Sequence, residues 1–170
     1  MSELTRSQRE FRAAMANLSA AVNVVTTDGP HGLAGITVSA ACSVTDSPPT
    51  VLVCVNRESR SREVLVANGR LCVNVLGTDH EDLAMHFAGA TRVPTAERFT
   101  ADDWDLETEG VPVLRGAPAS LVGRIVAEQG QGSHSVLFVE VEKVLTSAES
   151  GALVYFQRRF HNLAAQPVSA

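Results

Sequence analysis

A chain of 170 residues, 45% hydrophobic and with mean hydropathy +0.06, has the size and apolar content of one folded domain. That excludes a disordered segment and a small peptide dependent on covalent staples. Its 19 acidic and 14 basic residues give a formal charge of −5, which argues against nucleic acid as a partner, because neutralising phosphates needs a basic face.

Thr5-Arg-Ser-Gln8 has capping-box spacing, and Phe11, Met15 and Leu18 follow at helical intervals. This predicts an amphipathic N-terminal helix of about four turns. The arginines and the Ala13–Ala21 run superficially mimic a secretion signal, but Glu3 and Glu10 break the positive region and no continuous apolar core follows. No run approaches the roughly 18 apolar residues of a membrane span. The expectation is a cytoplasmic protein with no membrane attachment.

Val22–Thr27 reads as a strand and Asp28-Gly29-Pro30 as a turn into a second one. From Gly35 to Thr45 the residues are small or β-branched and predict one strand that Pro48-Pro49 stops. Thr50–Asn56 is a buried strand. Ser59 or Ser61 caps a short helix that ends near Asn68, with Gly69 as its stop. Leu71–Leu76 is another strand. Thr78-Asp-His-Glu81 repeats the capping-box spacing and opens a helix through Phe87, ended by Gly89. Residues 90–116 are polar, carry Pro94, Pro112 and the single tryptophan Trp104, and read as an excursion rather than core. Strands follow at Ala119–Glu128, Ser135–Leu145 and Leu153–Phe156, and the tail after Asn162 reads as frayed. Residues 1–170 are expected to form a single domain with flexible ends at 1–8 and 163–170. Six or seven strands with two or three helices do not alternate as a doubly wound sheet would. They predict a mainly β fold with peripheral helices, an antiparallel barrel that is closed or nearly so.

Several chemistries lack their motifs. There is no G-x-G-x-x-G opening a helix after a strand, no phosphate-binding Walker loop and no G-x-S-x-G elbow. Gly130-Gln-Gly-Ser-His134 reads as a turn. Cys42, Cys54 and Cys72 are odd in number, widely spaced and set in apolar runs, so they read as small buried hydrophobes in a reducing compartment rather than as disulfides or zinc ligands. His80 and His86, six residues apart, read as solvated helix residues. Lys143 is the only lysine, so arginines carry the remaining positive charge and a lone arginine says little about function.

Two features point to a ligand. In Gly35–Val44 small residues let backbone approach a flat molecule, while hydroxyls and amides supply hydrogen bonds; a packed strand with serines facing water is the alternative. Asn56-Arg-Glu-Ser-Arg-Ser-Arg62 joins a buried strand to a helix start, where free N–H groups and the helix dipole suit a phosphate; an ordinary cap with a solvated charge run is the alternative. Together they describe a site for a planar, phosphate-bearing ligand.

The ordered set of segments resembles the short-chain NAD(P)H:flavin reductases, the small components of two-component flavin monooxygenases. The carrying residues are Phe11-Arg-x-Ala-Met-Ala-x-Leu-Ser-Ala-Ala-Val-Asn23, Gly35-Ile-Thr-x-x-Ala-x-Cys-Ser-Val-Thr45, Asp46-Ser-Pro-Pro49, Cys54-Val-Asn56 with Ser59, and Leu71-Cys-Val-Asn-Val-Leu76. Later in the chain come His86-Phe-Ala-Gly89, Glu97-Arg-Phe99, Gly132-Ser-His134 and Tyr155-Phe-x-Arg-Arg-Phe-His161. The resemblance implies a split β-barrel of the flavin-reductase-like, FMN-binding fold, paired as a homodimer. It implies FMN or FAD reduced by NADH, with NADPH as the alternative donor. The reduced flavin would pass to a separate oxygenase that hydroxylates an aromatic compound such as 4-hydroxyphenylacetate. An oxygenase for chlorophenols, phenol or pyrimidines, and a flavin-binding barrel without turnover, are the alternatives.

The same resemblance assigns the residues. Thr37, Val38, Ser39, Ala40, Ser43 and Val44 would contact the isoalloxazine and ribityl, with Cys54, Val55 and Asn56 continuing that wall. Ser59 and Ser61 would hold the phosphate, Phe87 would lie near the ring and Arg158 near the cofactor. His134, in Gly-x-His, would sit where nicotinamide stacks on flavin. Ser133 stands where this family often has aspartate, and Ser61 where threonine is frequent.

Overall fold

The computed structural model describes residues 4–91, 93–147 and 151–165. In chain order the elements are α1 (Arg6–Met15), β1 (Ala20–Ala21), β2 (Asn23–Thr27), β3 (Ala34–Val38), β4 (Ala41–Asp46), β5 (Pro49–Asn56), α2 (Arg60–Asn68), β6 (Arg70–Val75) and α3 (Glu81–Phe87). They continue with β7 (Trp104–Asp105), β8 (Val113–Leu114), β9 (Ala119–Gln131), β10 (His134–Thr146), β11 (Ala152–Phe156) and β12 (Arg159–Leu163). Short 3-10 turns precede α3 at Thr78–His80 and follow it at Thr95–Arg98.

Seven strands form an antiparallel sheet in the order β3-β2-β6-β9-β10-β5-β4. Its edge strands β3 and β4 are consecutive in the chain and joined only by Ser39 and Ala40, so the sheet curls until its edges meet. The expected single strand from Gly35 to Thr45 is thus two strands, broken at Ser39-Ala40, which serve opposite edges. No ladder joins β3 to β4 among the described residues; the Cys54 N–H, donating to Ala40 O at 2.9 Å, extends the β4–β5 pairing into the link. In a separate sheet, β1-β11-β12, the last strand runs one residue into the tail expected to fray, where Leu163 pairs with Ala152. Residues 6–8, expected at a flexible end, form the first turn of α1, while residues 1–3 and 166–170 lie outside the described residues.

Alternation along the strands divides the interior in two. Val25, Leu71 and Val73 point into the curled sheet with Val53, Val55, Leu137 and Val139. Val24 and Leu76 point outward, into a second core with Ala84, Phe87, Phe99, Trp104, Leu114 and Leu153. Residues 90–116 are therefore not an excursion away from the core; they cover it. Trp104 is 1% exposed, and its ring lies 5.5 Å from Phe87 and 5.1 Å from Phe99. The polar composition of that stretch reflects its outer surface, while a few apolar residues carry its packing.

A buried polar cluster fastens this cover. Asn74, fully buried, accepts at Oδ1 from the Leu114 N–H and the Ser120 hydroxyl, both at 2.9 Å, and donates from Nδ2 to Val24 O and Thr26 Oγ1, both at 3.1 Å. The Thr26 hydroxyl lies 2.6 Å from Pro112 O. Cys72 lies in the same cluster, and burial pushes its thiol up to about 12.

The helices start largely as expected. Thr5 and Gln8 form the capping box, but α1 is shorter than predicted: its 10 residues stop where the Asn17 side chain donates to Ala13 O. None of its residues is buried. Gly69 ends α2 at φ +71°, and the Ser59 N-cap side chain makes no bond to the helix. The Thr78 capping box does not form; in the 3-10 turn before α3 the His80 Nδ1 accepts from the Gly77 N–H at 3.0 Å, and α3 itself has no side-chain cap. His80 and His86 are half-buried rather than solvated, and burial holds His80 below its ordinary value. The expectation of three buried cysteines holds only for Cys72, because Cys54 is half-buried and Cys42, on edge strand β4, is exposed. No helix among the described residues is long and apolar enough to cross a membrane.

Candidate functional site

The end of β3, the Ser39-Ala40 link and the end of β5 face one another where the sheet edges meet. There they enclose a cavity of ≈ 220 Å³ lined by Ile36, Thr37, Val38, Ser39, Ala40, Cys54, Val55, Asn56 and His134. His134 opens β10 directly opposite Asn56, so the antiparallel register between β5 and β10 brings a residue 78 positions away into this wall. The lining is mostly small side chains and peptide groups. Burial, reinforced by nearby Cys42, raises the Cys54 thiol, so it lines the wall as a neutral group.

Three contacts fix the walls. Thr37 Oγ1 donates to Ala84 O at 2.7 Å, fastening β3 to α3. Ser61, in the first turn of α2, donates to Gly35 O at 3.0 Å, fastening the other end of β3 to the helix start. The Asn56 side chain accepts from the Glu58 N–H at 2.9 Å and shapes the turn into α2. With Ser61 engaged and the Arg62 N–H donating to Ser59 O at 3.0 Å, the Ser59 hydroxyl and the Arg60 and Ser61 N–H groups at the start of α2 are the donors left for an anion.

Beside His134, the Ser133 hydroxyl lies 2.9 Å from Nδ1 and the Arg57 N–H donates to Ser133 O at 2.9 Å. Gly132, at φ +55°, makes this tight turn. Next in sequence, Ser135 donates to Glu128 at 2.6 Å and accepts from Arg62 Nε at 3.2 Å, while Arg62 also pairs with Glu128. The Ser135 hydroxyl and the Arg62 guanidinium hold the Glu128 carboxyl below the usual carboxylate range. This network ties α2 to β9 and β10. It was not singled out in the sequence, because Arg62 and Glu128 lie 66 positions apart.

Other expected residues fall elsewhere. Ser43 and Val44 are exposed on β4, at an irregularity in its pairing with β5, and do not line the cavity. Phe87 is 3% exposed and lies behind β3, packed on Phe99 and Trp104. It acts there as core. Arg158 sits in the two-residue turn between β11 and β12, with Gln157 and Arg158 at φ 48° and 63°. The turn is anchored by the Gln157 N–H donating to Ala16 O at 2.7 Å. Arg158 lines two larger cavities that flank Ser39 rather than the small one. Glu81 and Arg159 of the neighbouring cavity were not singled out in the sequence; the placement of α3 and the β11–β12 hairpin brings them there. Among the described residues no group of three or more His, Cys, Asp or Glu side chains is placed to hold a metal ion.

A flavin fits this arrangement as one wall of a site: a flat lining of small residues, hydroxyls and amides, next to a helix start with free donors. Comparison with known proteins agrees. The flavin reductase like domain model matches residues 15–164. The chain belongs to that family. It is 55% identical over 163 residues to the 4-hydroxyphenylacetate 3-monooxygenase reductase component of Pseudomonas aeruginosa, covering 96% of each chain. It is 48% identical to an FMN reductase (NADH) of Variovorax paradoxus, covering 93% of this chain and 87% of the relative. Among solved structures, the NADH:FAD oxidoreductase of Streptomyces globisporus, in complex with NAD and FAD fragments, superposes with a TM-score of 0.85 at 28% identity over 100% of both chains.

Proposed function

We propose that the protein is an NADH-dependent flavin reductase that transfers hydride to FMN or FAD and releases the reduced flavin to a separate oxygenase acting on an aromatic compound such as 4-hydroxyphenylacetate. The observation that carries this reading is the convergence of Ile36–Ala40, Cys54–Asn56 and His134 on one cavity beside the start of α2. Relatives named as 4-hydroxyphenylacetate 3-monooxygenase reductase components and as FMN reductase (NADH) support it.

The nicotinamide supplies the hydride and the flavin N5 accepts it, so the chain needs no acid or base of its own. The task of the residues is placement. Thr37–Ala40 and Cys54–Asn56 offer a flat wall, and donors along it stabilise negative charge that grows on the ring edge. The Ser59 hydroxyl and the first N–H groups of α2 hold the phosphate, with Ser61 joining when its bond to Gly35 O opens. His134 orients the nicotinamide or shields the ring face, its Nδ1 occupied by Ser133. Arg158 approaches from the β11–β12 turn. Phe87 supports the wall from behind.

The active form we propose is a homodimeric split β-barrel of one domain, in the cytoplasm. A cavity of ≈ 220 Å³ is below the roughly 300–1,000 Å³ of small-molecule sites, so a second wall is needed. Beside it Phe11 and Met15 of α1 and Leu18 just after it are 66%, 42% and 62% exposed around a groove that reaches Ser39 and Ala40. A second copy packed on α1 supplies the wall and covers that surface. Three free cysteines suit a reducing compartment.

The test is NADH oxidation by purified protein with no flavin, FMN or FAD added. Strong dependence on added flavin is expected; flavin binding without turnover refutes the reading. His134→Ala should reduce NADH turnover on the order of tenfold or more while FMN binding changes little. Equal loss of both would remove the proposed role of His134. A second reading keeps the reaction and changes the oxygenase to one for chlorophenols, phenol or pyrimidines; the 48% identity to a relative named FMN reductase (NADH) rather than a 4-hydroxyphenylacetate 3-monooxygenase component favours it, and reconstitution with each oxygenase class separates the two.

A further inference from the structure

The β9–β10 hairpin runs beyond the sheet that supports it. β6 pairs with β9 only as far as Arg124, and the Ile125 N–H donating to Gly69 O at 2.8 Å is the last backbone bond on that side among the described residues. From Val126 to Gln131 every residue of β9 is exposed, and its outer edge carries no strand. The tight turn at Gly132-Ser133 then leads into His134.

Glu128 stands on this unsupported stretch and reaches back into the molecule. It lies opposite Leu137, which is fully buried, and alternation puts Ser135 on that same face, 1% exposed. His134 takes the other face and lines the cavity. Glu128 Oε1 accepts from the Ser135 hydroxyl at 2.6 Å and from Arg62 Nη2, while Arg62 Nε donates to the Ser135 hydroxyl at 3.2 Å, closing a triangle of bonds. The Arg62 and Glu128 side chains are only 23% and 25% exposed, where charge-assisted bonds hold better than on open surface.

The triangle joins the two ends of the candidate site. Arg62 lies in the first turn of α2, one residue after Ser61, at the helix start that offers donors to an anion, and Ser135 directly follows His134. Backbone pairing with β5 ends at His134, opposite Asn56, and beyond it the Arg57 N–H donating to Ser133 O at 2.9 Å holds the turn. Those bonds fix the height of His134 along β5. The tilt of the hairpin tip toward α2 is left to the side chains.

We propose that Glu128 is a positioning residue for hydride transfer: by holding Ser135 and Arg62 together it sets the tilt of the hairpin tip, and so the distance of His134 from a flavin anchored at α2. The inference rests on the reductase reading and on the place of His134 in it. Glu128 does not line the cavity, so its removal leaves binding in place and slows the step that needs close approach.

The full chain is titrated with FMN to count competent sites, and reduction of the bound FMN by saturating NADH is then followed without oxygen by stopped-flow absorbance. The rate constant reports geometry, whereas a loss of folded protein lowers the count of sites instead. Glu128→Ala should lower the rate constant about tenfold with FMN affinity unchanged. Glu128→Gln should keep it within about twofold, because its amide oxygen still accepts from both partners. Ser135→Ala, which leaves the ion pair in place, should lower it about threefold and carries the test where Glu128→Ala fails to fold. In the His134→Ala background Glu128→Ala should add nothing. The assignment is overturned if the rate constant is unchanged in Glu128→Ala or Ser135→Ala, if only the count of sites falls, if Glu128→Gln is as slow as Glu128→Ala, or if the Glu128→Ala and His134→Ala losses multiply. FMN-dependent NADH oxidation by the unaltered protein is followed in parallel. Where it is present, those results overturn the positioning role alone; where it is absent, the reductase reading falls with it.

Discussion

Gly35→Ala probes how the core supports the site. Gly35 lies on β3 with Phe87 directly behind it: an added Cβ would stand 2.5 Å from Phe87 Cε1, 2.8 Å from Cδ1 and 3.1 Å from Phe99 Cζ. These rings cannot retreat easily, since Phe87 is 3% and Phe99 6% exposed and each packs edge-on or tilted against Trp104. Overpacking of this kind costs about 1–3 kcal/mol. For a domain of this size that lowers Tm by about 2–12 °C. If β3 yields instead of the rings, Ile36–Ala40 shifts and FMN affinity falls, because the Ser61 bond to Gly35 O moves with it. Thermal unfolding followed by the single tryptophan, with FMN binding measured on the same samples, reads both effects. In the Phe87→Leu background the cost of Gly35→Ala should shrink, as it must if the two residues interact. A Gly35→Ala protein with unchanged Tm and FMN affinity, or a cost independent of residue 87, would refute the reasoning.

Three further outcomes follow from the same geometry. Asn74→Ala should destabilise by about 2–5 kcal/mol, since it orphans the buried Leu114 N–H and removes several bonds of about 1 kcal/mol each. Red-shifted Trp104 emission before global unfolding would show the cover detaching, and a loss below about 1 kcal/mol would mean the cluster is redundant. Arg158→Gly relieves a left-handed residue at φ 63° and should raise the urea midpoint by the equivalent of about 0.5–1 kcal/mol while weakening use of NADH; lower stability would contradict the strain. Burial holds His80 below its ordinary value, and its neutral Nδ1 accepts from the Gly77 N–H. Its contribution to stability is therefore complete above about pH 6.5 and lost as the pH falls below that. The decline of Tm on acidification should be shallower in His80→Gln, and an identical slope would exclude His80 as its source.

What the sequence revealed divides by range. Local signals were legible: the Thr5 capping box, Gly69 as a helix stop and the apolar strands all rest on residues within a few positions of one another. The break at Ser39-Ala40 was not, because nothing local forbids one long strand; the curl of the sheet requires the interruption. Trp104 was misread because its polar neighbours hid an apolar face completed by Phe87 and Leu114 from other segments. For the site, the run of small residues pointed to Gly35–Val44, of which Thr37–Ala40 line the cavity, while Cys54–Asn56 and His134 came through a family resemblance and are placed beside it by the register of β5 with β10. Phe87 was expected near the ring through the same resemblance; its packing on Phe99 and Trp104 comes from segments the motif does not contain.

The division of labour in the site follows from these supports. Gly35 lets the aromatic core press on β3, Ser61 ties its first half to α2, and the Thr37 bond to Ala84 O ties its second half to α3. The lining itself is small side chains and peptide groups, so shape is set by where the backbone is held rather than by long side chains reaching in. Substitutions that keep those three tethers should therefore change ligand affinity modestly even within the lining. Substitutions that move β3, including Gly35→Ala from behind, should cost more although they touch no ligand.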